Sequence, residues 1–184
     1  MENLKFIAFA GSIRKESYNR KLLKAAQELA PKNVEIEILD IADLPHFDED
    51  LEKDFPEVAQ NLKKRIEQTD GILISTPEYN RSIPGVFKNA IDWSSRPFGK
   101  NSWAGKPVYV MGASIGGLST AIAQSHLKHT LLYLDAHVLG QPELYMGNCT
   151  DKFDENGKLI HEGTRDLLEK ALQDFVAHAQ KFRN

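Results

Sequence analysis

Residues 4–26 read LKFIAFAGSIRKESYNRKLLKAA. The β-rich run Leu4–Ala10 leads straight into Gly11 and Ser12, and Leu22, Leu23 and Ala26 then recur at helical spacing. A strand, a short polar loop and a helix in that order open a βαβ unit, and the alternation repeats along the chain. Further strand-like runs occupy Val34–Leu39, Gly71–Ser75, Pro107–Met111 and Ala136–Leu139. Between them lie helical stripes: Val58, Leu62 and Ile66, then Val86, Phe87, Ala90 and Ile91 behind Pro84 at a first turn, then Ile122, Ala123, Leu127 and Leu131. Leu29 and Ala30 prolong the first stripe. Leu167, Leu168, Ala171, Leu172, Phe175, Val176 and Ala179 form the last, with Thr164 as its expected N-cap.

Ile72-Leu73-Ile74 is apolar on consecutive positions, which suits a strand covered on both faces and so a parallel sheet. The expectation is an α/β three-layer sandwich over residues 1–184 as a single domain. Its five-stranded parallel sheet should have the flavodoxin-like order 2-1-3-4-5, with helices on both faces. Such sheets bind ligands outside the carboxyl ends of the strands, at the switch point between strands 1 and 3. The informative loops therefore follow Ala10, Ser75 and Met111. Two other loops carry extra length. Asp40–Phe55 is acidic and expected to be solvated, and Gly147–Ile160 contains the tight-turn pair Asn156-Gly157.

Composition narrows the function classes. The chain has 184 residues, 41% hydrophobic and 27% charged, as a soluble globular protein does rather than a disordered one or a coiled coil. A net charge of −3 offers no general attraction to nucleic acid or to an anionic membrane. The single cysteine, Cys149, rules out an intrachain disulfide and paired-thiol redox chemistry, and is expected to be structural or inert. No apolar run nears the ~20 residues that span a bilayer. Met1-Glu2-Asn3-Leu4-Lys5 lacks the basic start and apolar centre of a signal peptide, so a reduced, cytoplasmic chain is expected.

The loop after the first strand places Ser12, Arg14, Ser17 and Asn19 ahead of a helix N-terminus, where unpaired N–H groups and about half a positive charge face an anion. Short polar donors and one guanidinium fit a phosphate monoester. Capping of the helix by Ser17 or Asn19 is the simpler alternative. The loop lacks the Gly-Lys-Ser/Thr of a Walker A sequence, and Ile13 stands where a dinucleotide fingerprint needs its second glycine. Asp40, at the end of strand 2, occupies the place of a ribose-binding acid. In the second loop, Pro77 and Pro84 stiffen Glu78, Tyr79 and Asn80, a set that can border a flat heteroaromatic ring, or simply form a surface turn. The third loop, Gly112-Ala113-Ser114-Ile115-Gly116-Gly117, reads in two ways. It brings backbone close to a flat ligand, or it is the Gly-x-Ser-x-Gly elbow of a serine hydrolase, with Asp135 and His161 in the right chain order for a triad.

GSIRKESYNRKLLKAA (11–26), STPEYNRSIPGVFKNAIDWSSRP (75–97) and GASIGG (112–117), with FDENGKL (153–159) behind them, together resemble the NADPH-dependent FMN reductase family, whose members include quinone, chromate and azo-dye reductases. The resemblance implies that Ser12, Arg14, Ser17 and Asn19 hold the FMN phosphate. It implies that Pro77, Glu78, Tyr79 and Asn80 line the isoalloxazine, and that Ser114 and Gly116 close its other side. It implies FMN as cofactor, NADPH or NADH as co-substrate, a small-molecule acceptor such as a quinone, chromate, an azo dye or free flavin, and ping-pong turnover without a catalytic side chain. It also implies a homodimer or homotetramer, with the aromatics Trp93, Phe98 and Trp103 near an interface. Relatives often carry a pair of glycines and an arginine where this chain has Ser119, Thr120 and Ile122. A flavodoxin-type electron carrier is the other flavin reading, though such carriers are more acidic and lack Pro-Glu-Tyr-Asn. His126 and His129 are expected as surface histidines rather than metal ligands, and Lys63-Lys64-Arg65 as a solvated helix face.

Overall fold

A computed structural model describes residues 3–183. Met1 and Glu2, which open the stretch read for a signal peptide, lie outside them. The strands are β1 (Leu4–Ala10), β2 (Val34–Leu39), β3 (Gly71–Ser75), β4 (Pro107–Ala113), β5 (His137–Val138) and β6 (Leu144–Met146). The helices are α1 (Tyr18–Leu29), α2 (Glu57–Gln68), α3 (Gly85–Ser94), α4 (Ala121–Tyr133) and α5 (Glu162–Gln180). All strand pairs are parallel, in the order β2-β1-β3-β4-β5. β6 pairs the carboxyl end of β4 through Met111, Gly112 and Ala113, while β5 pairs its start at Pro107 and Val108. The expected fifth strand, Ala136–Leu139, is thus shortened to β5, and β6 is a further strand that the sequence reading did not give. The segment between them carries Gly140 and Pro142, neither suited to a continuous ladder.

Period-two alternation divides the sheet's side chains between two cores. Phe6, Ala8, Ala10, Leu73, Tyr109 and Met111 face α1 and α5. Ile7, Phe9, Ile72, Ile74, Val108 and Val110 face α2, α3 and α4. The first core is centred on Phe175, 5.0 Å from the Phe6 ring and 6.0 Å from Tyr109. Gly71 makes room for it, since a Cβ there would lie 2.9 Å from Phe6 and 3.0 Å from Phe175. In the second core Trp103 and Phe87 tilt against Phe9.

Several details differ from the sequence reading. α1 stops at Leu29 because Ala30 precedes Pro31 and is pushed into extended backbone. On α2 the buried position is Ala59, while Val58 is exposed. The N-cap of α5 is His161 rather than Thr164, its Nδ1 accepting from the Thr164 N–H at 3.2 Å. The segment Asp40–Phe55 is not a free solvated loop. Ile41 is buried, Phe47 and Phe55 each meet Trp93 edge-on at 5.0 Å, and the Trp93 Nε1–H donates to the Pro45 carbonyl. Trp93 and Trp103 are core, whereas Phe98 is 91% exposed. Lys63 is not part of a solvated face either. Its ammonium donates to the Ser94 and Lys100 carbonyls and to Ser102 Oγ, joining α2 to the segment after α3, and burial lowers its pKa.

Tyr109 donates its hydroxyl to the Pro142 carbonyl at 2.9 Å, and burial raises its pKa well above the ordinary 10.0. The fold therefore favours the neutral phenol, and the unfolded chain ionises first. This contribution is complete below pH 10.0 and is lost as pH rises beyond it. Urea unfolding measured on either side of that pH should show falling stability in the parent, and a shallower fall in Tyr109→Phe.

Candidate active site

Three loops meet at the carboxyl end of the sheet, and their backbones hold one another. The Gly11 N–H donates to the Ser75 carbonyl at 2.8 Å, and the Thr76 N–H to Met111 at 2.9 Å. A Cβ on Gly112 would lie 2.2 Å from Thr120 Oγ1 and 2.3 Å from the Thr76 carbonyl, so only glycine permits this approach of β4 to the second loop.

In the first loop Ser12 and Ser17 are buried and Arg14 is exposed. Ser12 Oγ accepts from the Arg14 N–H at 3.3 Å and stands 3.4 Å from the Tyr79 hydroxyl, where the first and second loops meet. The Arg14 guanidinium donates to the Glu16 carbonyl and lies 5.5 Å from the centre of the Tyr18 ring, which itself packs on Phe153. Ser17 is the N-cap of α1, its Oγ accepting from the Arg20 N–H. Among the described residues, the amides of Ser12, Ile13, Lys15, Glu16, Tyr18 and Asn19 donate to no protein acceptor. α1 also has no acidic residue in its first turn. Open amides at a helix start with no anion of its own fit a phosphate group.

Asn19 is committed elsewhere. Its Oδ1 accepts from the Ala113 N–H and from Ser75 Oγ, both at 2.9 Å, and its Nδ2 donates to the Ala113 carbonyl at 3.0 Å. The side chain is buried and ties α1 to the ends of β3 and β4, so it positions the loops.

Pro77 is buried; Tyr79 and Asn80 are exposed. Residues 79–82 form a tight turn with both cross-bonds made, Tyr79 N–H to Ser82 at 3.2 Å and Ser82 N–H to Tyr79 at 3.0 Å. Asn80 and Arg81 have φ of 50° and 61°, the left-handed pair of a type I′ turn. Glu78 joins this turn to α4. Its Oε2 accepts from the Ile122 and Ala123 N–H groups, each at 3.0 Å, and its Oε1 pairs with Arg81 at 3.2 Å. The carboxylate thus caps α4. Ser82 Oγ meets His126 Nδ1 at 3.2 Å, a second tie to that helix.

In the third loop Ser114 Oγ accepts from the Gly116 N–H at 3.2 Å. The segment after β6 braces it: the Ser114 N–H donates to Met146, and the Cys149 N–H to Ser114. A Cβ on Gly147 would lie 2.6 Å from the Gly117 carbonyl. Nothing in the sequence marked this brace, because it joins loop 114–117 to a segment some thirty residues on. Cys149 is buried, and burial raises its thiol pKa, which makes it a poor nucleophile. Asp40 is engaged by Arg20 at 3.6 Å and by the Ala42 N–H.

A family model described as NADPH-dependent FMN reductase matches residues 4–151. The chain belongs to that family. It is 45% identical over 174 residues to a 2-hydroxy-1,4-benzoquinone reductase of Burkholderia sp, covering 95% of each chain. It is 39% identical over 186 residues to a quinone reductase of Escherichia coli K12, covering 99% of this chain and 98% of the other. The solved structure of FerB, a flavoenzyme NAD(P)H:(acceptor) oxidoreductase from Paracoccus denitrificans, superposes with a TM-score of 0.91 at 42% identity, covering 97% of this chain and 98% of FerB. As a member of the family the protein is an oxidoreductase that takes FMN as cofactor and NAD(P)H as reductant. No helix among the described residues is long and apolar enough to cross a membrane.

Family membership displaces the serine hydrolase reading, and the geometry explains why. Ser114 lies at the carboxyl end of β4, whereas Asp135 precedes β5 at the opposite end of the sheet. His161 uses its Nδ1 to cap α5. The three residues do not assemble.

Asn19→Ala should lower the unfolding free energy by about 3 kcal/mol, since it strands both polar groups of Ala113 in the interior. Glu78→Gln keeps the shape but removes the charge facing α4, and should cost about 1 kcal/mol. Denaturant unfolding of the two variants checks both values and their order.

Proposed function

We propose that this protein is an NAD(P)H:quinone oxidoreductase, a single FMN-binding domain over residues 1–184 that reduces a quinone or a similar planar acceptor. The observation that carries this reading is the shared mouth of the three loops. Each presents an exposed apolar side chain beside open amides: Ile13, Tyr79, and Ile115 with Leu118. A flat, partly apolar ring with polar edges suits such a rim. The quinone reductases among the relatives support the acceptor class.

When bound, FMN supplies the ability to accept a hydride from the nicotinamide and pass it on. Everything else falls to the chain. The amides of the first loop, with Ser12, Ser17 and Arg14, hold the phosphate. Pro77, Tyr79 and Asn80 border the ring on one side, and Ser114 and Gly116 on the other. Glu78 and Asn19 are positioning residues that keep those loops in place through α4 and β4. No side-chain nucleophile is needed. Reductant and acceptor use one mouth in turn, so ping-pong kinetics follow. Chromate, azo dyes and free flavin would reach the same opening.

The chain is further proposed to act in the cytoplasm as a homodimer, with a homotetramer as the larger alternative. Exposed Phe98 lies in the segment that Asn101 ties to the end of α4, where Leu132 and Tyr133 are also exposed. That surface supports association, which light scattering measures.

In stopped flow, NADPH alone should bleach the yellow holoprotein and 1,4-benzoquinone should restore it; a flavin that stays oxidised under NADPH and NADH overturns the reading. Arg14→Ala should weaken FMN retention by about ten- to a hundredfold, as expected for one lost bond to a charged partner. Flavin-fluorescence titration gives the value, and an unchanged affinity would remove Arg14 from the phosphate site.

A further inference from the structure

A separate cavity of about 300 Å³ opens on the outer side of the first loop, between the start of α1 and the turn at 155–157. Lys15, Arg20, Lys21 and Lys24 line it against two carboxylates, Glu16 and Glu155. Glu16 pairs with Lys21 at 3.3 Å, and Arg20 leans to Asp40 at 3.6 Å. Lys15 and Lys24 have no ionic partner among the described residues. Two cavities elsewhere match their charges one for one: Lys5 and Arg65 against Glu35 and Glu37, and Lys106 and Arg183 against Glu67 and Asp70. A third, beside α2, sets Lys63, Lys64 and Lys100 against Glu52 and Glu67, but the Lys63 ammonium is committed to the Ser94 and Lys100 carbonyls and to Ser102 Oγ; the cavity at α1 keeps the larger excess of positive charge and adjoins the first loop.

Its walls are held by packing. The Lys21 stem runs along the Tyr18 ring, with Nζ 5.4 Å from the ring centre. The turn presses on the same stem, so that a Cβ on Gly157 would lie 3.2 Å from Lys21 Cε. Lys15 belongs to the loop that takes the flavin phosphate, so the cavity adjoins the active site at its phosphate end. A dinucleotide whose nicotinamide lies at the loop mouth must carry its adenosine half beyond the flavin's outline, and charge favours this direction.

We propose that this cavity binds the 2′-phosphate on the adenosine ribose of NADPH, and that Lys24, on its α1 wall, sets the preference for NADPH over NADH. The inference rests on the reductase reading above and adds the coenzyme's identity to it. A phosphate monoester carries a charge of about −1.5 to −2 at neutral pH, which unpaired lysine ammonium groups neutralise as point charges. NADH presents a hydroxyl there and gains nothing from them.

The test compares KM for NADPH and for NADH in the parent holoenzyme and in the Lys24→Glu variant, with flavin content read from absorbance. The variant should raise KM for NADPH about tenfold or more, and leave KM for NADH and flavin content within about twofold. 2′,5′-ADP should compete with NADPH in the parent and lose that competition in the variant. An equal rise for both coenzymes, or no rise for NADPH, overturns the proposal. So does inorganic phosphate competing as well as 2′,5′-ADP, which would assign the cavity to a free anion. Lys24→Ala, on an exposed helical face, gives the same comparison should the charge reversal fold poorly. If neither coenzyme bleaches the parent's flavin, the reductase reading falls with it; if both bleach it and the lysine variants show no selectivity, only the cavity's assignment falls.

Discussion

The amide of Asn19 reaches from the first turn of α1 to both polar groups of Ala113 and to the Ser75 hydroxyl. A parallel sheet stops offering lateral partners where its strands end, yet that is where a ligand site must be built. Here one side chain stands in for a neighbouring peptide, donating and accepting on the same residue of β4. It fixes α1 relative to β3 and β4, and with α1 it fixes the first loop. The contact of Ser12 with Tyr79, the fit of Gly11 beneath Pro77 and the approach of Gly112 to Thr76 all presuppose that registration.

Among the helices that start from these loops, α1 and α4 are treated differently. At α4 the positive end already has an anion, the Glu78 carboxylate, received by the Ile122 and Ala123 amides. At α1 no acidic residue sits in the first turn, and the loop before it keeps a row of amides without acceptors. Electrostatics therefore leaves the α1 end open to an anion, as the proposed phosphate site requires, and closes the α4 end. The same division explains why Glu78, beside the ring loop in sequence, contributes to the site through α4 rather than by facing the mouth.

Much of this was legible beforehand. Alternating strand and helix patterns placed β1, β2 and β3 at their observed limits, and the three polar loops meet at the carboxyl end of the sheet as their order required, because both signals are local in the chain. What escaped depends on partners far away in sequence. Asn19 and Ser17 look alike as helix-start polar residues, and only the arrival of Ala113, ninety-four positions on, distinguishes a clamp from a cap. Lys63 reads as surface until Ser94, Lys100 and Ser102 close over it. β6 was missed because three residues beyond Pro142 are too short a run to read as a strand, and only their pairing with the far end of β4 makes them one. His161 caps α5 through a ring nitrogen, outside the usual short polar set.

The rim of the mouth has a different status from its frame. Ile13, Ile115 and Leu118 are exposed, and their side chains make none of the hydrogen bonds that hold the loops together. Chemical taste and mechanical integrity are therefore written in separate letters of this chain. A lineage, or a designer, can revise which molecules the opening welcomes by editing three apolar residues while the scaffold beneath goes untouched.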